Sequence, residues 1–245
     1  RCIVTHIPGT TRDSVDTQLT REGRAYRLID TAGIRYKGRT KGMVEKLSVV
    51  MARKSISRSD VVLLILDATE GATRLDAVIG SYAHDQGKSL IVVVNKWDLV
   101  SKETYTAHEL EKKIRYRMRF LDYAPMVFVS AKTGQRVFKL LDYVDRALEA
   151  RQFRVPTAEL NRLVENRIHS RIPSGGREKN PLLYVSQVST SPPTFVLFIR
   201  SRKKLHFSIE RYFVNQIREK YEFYATPVRI LQRIRTAKKP HLRLG

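Results

Sequence analysis

The residues best equipped for chemistry are Asn95-Lys96-Trp97-Asp98, which follow the run Leu90 to Val94. In this order they suit a guanine base. A fixed carboxylate at Asp98 can accept from both the ring N1–H and the exocyclic amine of guanine, a donor pair that adenine does not offer. Asn95 can bond the base or tie neighbouring loops together, and the Lys96 stem can lie across the ring face. Taken alone, the four residues also fit a solvated turn in which Asp98 caps a helix.

What decides between these readings is the scaffold. Leu90 to Val94 are five consecutive apolar residues, four of them β-branched. That pattern predicts a strand buried on both faces, as in a central parallel sheet. Ligands of open α/β sheets bind outside the carboxyl ends of the strands, where the four residues fall. Other strand exits carry polar groups too. A hairpin is predicted from Ser14–Leu19 and Ala25–Ile29 around a turn at Glu22-Gly23, and its second strand runs into Asp30-Thr31-Ala32-Gly33. There a carboxylate can hold magnesium, usually through water, and a glycine amide can approach a terminal phosphate closely. Pro8-Gly9 marks a loop that offers the hydroxyls of Thr10 and Thr11.

Residues 34–42 are basic, punctuated by glycine and predicted to form a loop. Helical spacing follows at Val44, Leu47 and Met51, and a second buried strand is expected over Val61–Leu66, ending at Asp67. Helices are predicted over 73–86 and Glu109–Phe120. A strand over Met126–Val129 exits into Ser130-Ala131-Lys132, and an amphipathic helix runs from Val137 to Leu148. Alternation of strand and helix specifies a parallel sheet with right-handed crossovers.

In sequence, PGTTRD at 8–13, DTAG at 30–33, NKWD at 95–98 and SAK at 130–132 resemble the ordered motifs of Ras-like, translation-factor-class GTPases. GTTRD, with Ile34 after DTAG, is similar to the Era/TrmE/Der branch. The resemblance implies a magnesium ligand at Thr11, or else Thr10, and Asp30 in the metal's outer shell. It implies a γ-phosphate sensor at the Gly33 amide, within the loop that includes Thr31 and Ala32. Asn95, Lys96 and Asp98 would read and cradle guanine. In the 130–132 loop, of Ser130, Ala131 and Lys132, the Ala131 amide would bond the guanine O6. GTP or GDP, Mg2+ and a K+ near the phosphates are the implied cofactors. Ile34 has no group to orient a water by hydrogen bonding, so hydrolysis would need another element.

One part is missing from the 245 residues. No Gly-x-x-x-x-Gly-Lys-[Ser/Thr] occurs; Gly87-Lys88-Ser89 has Tyr82 five residues before Gly87 and precedes a strand instead of following one. The family places its P-loop upstream of GTTRD. The chain is therefore expected to begin after that element, and by itself to be poor at holding phosphates.

Charge points to the second half. The net charge is +22, and residues 151–245 carry 20 Lys+Arg against 6 Asp+Glu, while residues 1–150 carry 26 against 18. Such density predicts a polyanionic partner, nucleic acid before acidic membrane. The alternative is a basic face turned to solvent or to a partner domain. The single cysteine, Cys2, excludes an intrachain disulfide and suits a reducing compartment. No apolar run approaches the ~20 residues that span a bilayer. The six histidines show no metal-ligand spacing.

After a linker at Arg151–Pro156, a helix is expected over Leu160–Ile168, and strands over Leu182–Val188 and Thr194–Ile199, with Pro192-Pro193 keeping their connection extended. Ile209, Tyr212, Phe213, Ile217 and Tyr221 then recur at helical spacing, which favours core aromatics over a stacking platform, and Val228–Ile234 alternates as a third strand. This order, with PPTFVLF at 192–198 and the run Ser208–Pro227, resembles the KH-like domain that closes the Der (EngA) family of bacterial double GTPases of ribosome assembly. A KH module clamps nucleotides with a Gly-x-x-Gly loop, and this region has none. The basic residues Arg200, Arg202, Lys203, Lys204, Arg233, Arg235, Lys238 and Lys239 are the candidate phosphate contacts instead.

The expected architecture is α/β: a Ras-like P-loop GTPase domain shortened at its N-terminus over residues 1–150, then an α+β KH-like domain over 155–245. The resemblance implies a monomeric, cytoplasmic bacterial GTPase contacting rRNA of the large ribosomal subunit. Two alternatives are a TrmE-like tRNA-modification GTPase, disfavoured by the KH-like tail, and an RNA-binding protein without nucleotide turnover.

Overall fold

The computed structural model describes residues 16–29, 50, 52–101, 106–168, 181–201 and 203–235. Two compact units divide the chain at residue 60, 1–60 and 61–245. In the first, β1 (Asp16–Arg21) and β2 (Arg24–Ile29) form the antiparallel hairpin expected from sequence. Its two-residue turn places Glu22 at φ 51° and Gly23 at φ 77°. Positive φ at both central residues matches the right-handed twist of the flanking strands, and glycine makes the second position cheap. A helical segment, α1, covers 52–58, and Arg58 pairs with Asp16 at 2.5 Å.

The second unit opens with three parallel strands in the order β3-β4-β5: β3 (Val61–Asp67), β4 (Ser89–Asn95) and β5 (Met126–Phe128). Between the first two lies α2 (Arg74–Asp85), started by a reciprocal cap in which Thr73 and Asp76 satisfy each other's backbone amides. Between β4 and β5 lies α3 (Thr106–Arg117), and after β5 comes α4 (Lys139–Gln152). α3 starts three residues before the expected helix and stops earlier. Met118, at φ −123°, ψ 52°, leaves helical geometry, and Arg119–Leu121 make a separate 3₁₀ turn. β4 is the centre of this sheet. Leu90 to Val94 are 0–1% exposed, so each side chain contributes on the order of 1.5–3 kcal/mol of burial.

The remainder has the order anticipated: helix, two strands, helix, strand. α5 (Thr157–Leu163) continues into a π turn at Val164–Ile168. β6 (Leu182–Thr190) pairs antiparallel with β7 (Pro193–Ile199), α6 (Phe207–Lys220) follows, and β8 (Arg229–Ile234) pairs parallel to β7. The aromatics at helical spacing are core, as expected. Phe213 is fully buried and meets Phe195 edge-on, while Phe223 meets Phe195 from another side. One expectation fails. Pro192-Pro193 does not hold an extended connection, because β6 continues to Thr190, β7 begins at Pro193, and only Ser191-Pro192, joined by a cis bond, makes the turn. Pro193 is tolerated as the first residue of a strand, where a missing donor costs little.

Within the second unit, the region around β4 meets the segment between α6 and β8 through several contacts. Ala225 joins the apolar cluster of Ile91, Val93, Val127, Val129 and Ala147. Leu90 donates its amide to the Ala225 carbonyl at 2.7 Å, and the hydroxyls of Ser89 and Thr226 are 2.8 Å apart, both residues fully buried. Buried Arg151 donates to the Gly87 carbonyl at 2.6 Å. Arg218 donates to the carbonyls of Phe223 and Thr226 and lies over the Tyr123 ring.

Candidate functional site

β4 delivers Asn95 at its carboxyl end, and the chain then turns sharply. Lys96 takes a left-handed conformation at φ 62°, which costs a non-glycine residue roughly 1–2 kcal/mol. Its neighbours hold it there. Trp97 buries its indole against Phe128, with ring centroids 4.7 Å apart, and donates its amide to the Val129 carbonyl at 3.0 Å. Trp97–Leu99 then wind one 3₁₀ turn that brings Asp98 back towards the exit of β5. The apolar third position is thus the anchor that lets the other three stand at the surface.

Two side-chain bonds join this turn to the 130–132 loop. The Ser130 hydroxyl donates to Asp98 Oδ1 at 2.6 Å, and the Ala131 amide donates to Asn95 Oδ1 at 3.0 Å. Ser130 is itself fully buried and accepts the Thr133 amide at 3.1 Å. Bonds to an ionised acceptor are short and strong, so Asp98 is held in one orientation before any ligand arrives. Of the two roles open to Asn95, the structure displays the tying of neighbouring loops. The Ala131 amide, expected to meet a base oxygen, is engaged by Asn95 here.

A further residue enters that sequence reasoning left unassigned. Lys96 Nζ lies 2.5 Å from Asp67 Oδ2, and Thr69 donates to Asp67 Oδ1 from both its amide and its hydroxyl. The Lys96 ammonium first, then the Thr69 donors, hold the Asp67 carboxyl down at about 2. The ion pair aligns the Lys96 stem beside the Asn95 end of β4, and β3 ends level with β4 because Asp67 pairs with Asn95 in the strand register. The signal was available, since Asp67 closes a buried strand next to the one that carries Asn95.

Asn95, Lys96, Asp98, Ser130, Ala131 and Lys132 therefore lie at adjacent strand exits of one sheet. Thr10, Thr11, Asp30, Thr31, Ala32 and Gly33 lie outside the described residues, as do Arg202, Lys238 and Lys239. Arg200, Lys203, Lys204, Arg233 and Arg235 are all exposed. Gly87-Lys88-Ser89 leads into the buried start of β4, at the opposite end from Asn95. Among the described residues no group of three or more His, Cys, Asp or Glu could hold a metal ion, and no helix is long and apolar enough to cross a membrane.

Comparison with known proteins accords with this geometry. Residues 1–96 match a family described as 50S ribosome-binding GTPase, and residues 154–233 match one described as the KH-domain-like, C-terminal region of EngA bacterial GTPase enzymes. GTPase Der of Desulfitobacterium hafniense is 47% identical over 234 residues, covering 95% of this chain and 53% of the relative. GTPase Der of Alkaliphilus oremlandii is 44% identical over 239 residues, covering 97% and 54%. The chain spans about half the length of these curated relatives. A match to a solved structure of Era in complex with MgGDPNP and a 16S ribosomal RNA segment covers 96% of this chain and 84% of that one, at TM-score 0.47 and 18% identity. The chain belongs to the Der (EngA) GTPase family, with a Ras-like GTPase region followed by a KH-like domain.

Proposed function

We propose that this chain carries the base-reading half of a guanine-nucleotide site and, within the whole protein, serves a GTPase of large-subunit ribosome assembly whose KH-like domain contacts rRNA. The carrying observation is the pair of bonds that fix Asp98 through Ser130 and Asn95 through Ala131. A carboxylate already oriented can accept from both guanine donors without losing freedom on binding, and adenine presents it with no donor pair. Asn95 acts through the loop that it braces, and the Lys96 stem, aligned by Asp67, covers a ring face.

Thr11, or else Thr10, and Asp30 would hold Mg2+, which when bound supplies the positive charge that bridges phosphate oxygens. The loop of Asp30, Thr31, Ala32 and Gly33 would contact the γ-phosphate, and K+ would sit near the phosphates. GTP-dependent ordering of residues 5–13 and 33–42 would change how the KH-like domain is presented to rRNA. The division into a GTPase region over 1–150 and a KH-like domain over 155–245 is supported by the family match that starts at residue 154. A monomer in the bacterial cytoplasm fits the family.

The 245 residues hold no P-loop motif, so the base should be recognised while phosphates are held weakly. Amide chemical shifts followed during titration test this. GDP is expected to move the signals of Asn95–Asp98 and Ser130–Lys132 at millimolar concentration while ADP leaves them in place. Equal shifts with ADP, or none with GDP, overturn the guanine assignment. Micromolar GDP affinity by calorimetry overturns the claim that this chain binds phosphates weakly.

A further inference from the structure

The sheet of β6, β7 and β8 has two faces with different fates. Phe195, Leu197, Ile199 and Val185 point to the side covered by α5 and α6, where they join the main core. Their neighbours in sequence point the other way. The strand register sets Tyr184, Phe198 and Arg233 in one row across the three strands, and Ser186, Val196 and Leu231 in the next. Tyr184 and Phe198 stack, with ring centroids 4.3 Å apart and planes at 15°. The Arg235 guanidinium lies 5.4 Å from the Tyr184 centroid and 5.2 Å from that of Phe198, within cation–π range of both.

This face, on the side away from α5 and α6, has an unusual composition. Leu231 is 51% exposed in mid-strand, Arg233 and Arg235 are exposed, and no residue of β6, β7 or β8 is acidic. Among the described residues, Arg229 of its lower row donates to the Asp85 carbonyl, and Val196, between Ser186 and Leu231, is buried, so the open part is the row of Tyr184, Phe198 and Arg233 with Leu231 and Arg235 at its edge. Apolar area and aromatic rings rimmed by arginines, with no carboxylate to repel phosphate, complement a single-stranded polyanion whose bases are unstacked. A duplex would bury its bases away from the rings.

We infer that the open face of this sheet is a binding surface for single-stranded RNA, in which Tyr184, Phe198 and Leu231 meet nucleobases while Arg233 and Arg235 meet phosphates. The inference rests on the proposed rRNA role and gives it a location other than a Gly-x-x-Gly clamp. It also separates the candidate cations into two sets. Arg233 and Arg235 act with aromatics on the sheet face, whereas Lys203 and Lys204 belong to the approach to α6.

The test is fluorescence anisotropy of a labelled 12-nucleotide single-stranded RNA of mixed sequence with the 245-residue chain, from 50 to 200 mM salt. Tyr184→Ala is expected to weaken binding about 5- to 150-fold and leave the salt slope unchanged, as the loss of a stacked base does. Arg233→Ala with Arg235→Ala is expected to flatten the slope of log affinity against log salt by ~0.7 per lost phosphate contact. Leu231→Glu, at an exposed position that folding does not need, is expected to weaken binding with the melting temperature unchanged. No RNA binding by the parent chain at 50 mM salt overturns the rRNA reading itself. Binding that Lys203→Ala with Lys204→Ala weakens, but Tyr184→Ala and Leu231→Glu leave intact, overturns only the sheet-face assignment and gives that face to a protein contact.

Discussion

Replacing Ser130 with alanine should uncouple Asp98 from its support, and the size of the effect follows from three contacts. The hydroxyl donates to Asp98 Oδ1 at 2.6 Å, accepts the Thr133 amide at 3.1 Å, and belongs to a fully buried residue. A hydrogen bond to a charged acceptor contributes about 1.5–3 kcal/mol, and the bond from the Thr133 amide, between neutral groups, about 0.5–1.5 kcal/mol. Ser130→Ala should therefore cost about 2–4.5 kcal/mol in the parent chain. In an Asp98→Ala background only the Thr133 bond remains to be lost, so the same substitution should cost about 0.5–1.5 kcal/mol. The difference, about 1.5–3 kcal/mol, is the coupling between the two side chains. Urea unfolding followed by tryptophan fluorescence measures it, because the single tryptophan of the chain is Trp97, buried between the two residues' loops. Additivity of the two substitutions within ~0.5 kcal/mol would refute the claim that Ser130 orients Asp98.

Asp98→Asn should exchange guanine for xanthine, which carries a carbonyl in place of the exocyclic amine, by about ten-fold or more in relative affinity, read from competing GDP and xanthosine diphosphate in the amide-shift titration; an unchanged preference for GDP would count against Asp98 as the base reader. His84 is held below its usual range, mainly by burial, with Arg218 and Arg229 adding to that and Asp85 and Asp122 opposing it, and its Nδ1 lies 3.0 Å from the Tyr123 hydroxyl. A base with a lowered folded pKa binds fewer protons folded than unfolded, so stability is full above about pH 6.5 and falls as the pH drops below it; His84→Phe should flatten that decline in a pH series of urea midpoints. Gly87, at φ +69°, would place an added Cβ 2.5 Å from Pro192 Cγ, so Gly87→Ala should cost more than the ~1–2 kcal/mol of left-handed strain alone, measured as a drop in melting temperature.

What was legible in the sequence tracks how local the cause is. Leu90–Val94 announced β4 because five buried apolar residues have no other home in a soluble fold, and Glu22-Gly23 announced its hairpin because few pairs accept positive φ twice. The exit motifs were legible for the same reason, since a strand end fixes where its next residues stand. The partnerships were not. Nothing in the spacing says that Ala131 spends its amide on Asn95, or that Asp67 clasps Lys96, because each bond joins residues brought together by neighbouring strands. The Pro192-Pro193 error has a comparable origin. Proline's effect on a strand depends on whether its missing donor faces a partner, and that is set by register with β6 and β8. The contacts of Ala225, Thr226 and Arg218 with β4 and its surroundings join segments more than 90 residues apart and left no periodic trace.

β4 has a different attachment at each end. At its start, Leu90 donates to Ala225 and Ser89 meets Thr226, both in the segment between α6 and β8. At its far end stand Asn95 and the turn that holds Asp98. Between them the side chains are 0–1% exposed, so the strand is close-packed on both faces along its length. The KH-like domain and the proposed base-reading loop are therefore fixed to one rigid rod. Coupling between guanine recognition and the RNA face of β6–β8 has one direct route along β4, through the seam of Ser89, Leu90, Ala225 and Thr226, beside the separate contacts of Arg151 with Gly87, Arg218 with Tyr123 and Arg229 with Asp85. Thr226→Val, which removes a buried hydroxyl from that seam while keeping its volume, is the substitution that separates the two functions if they are linked there.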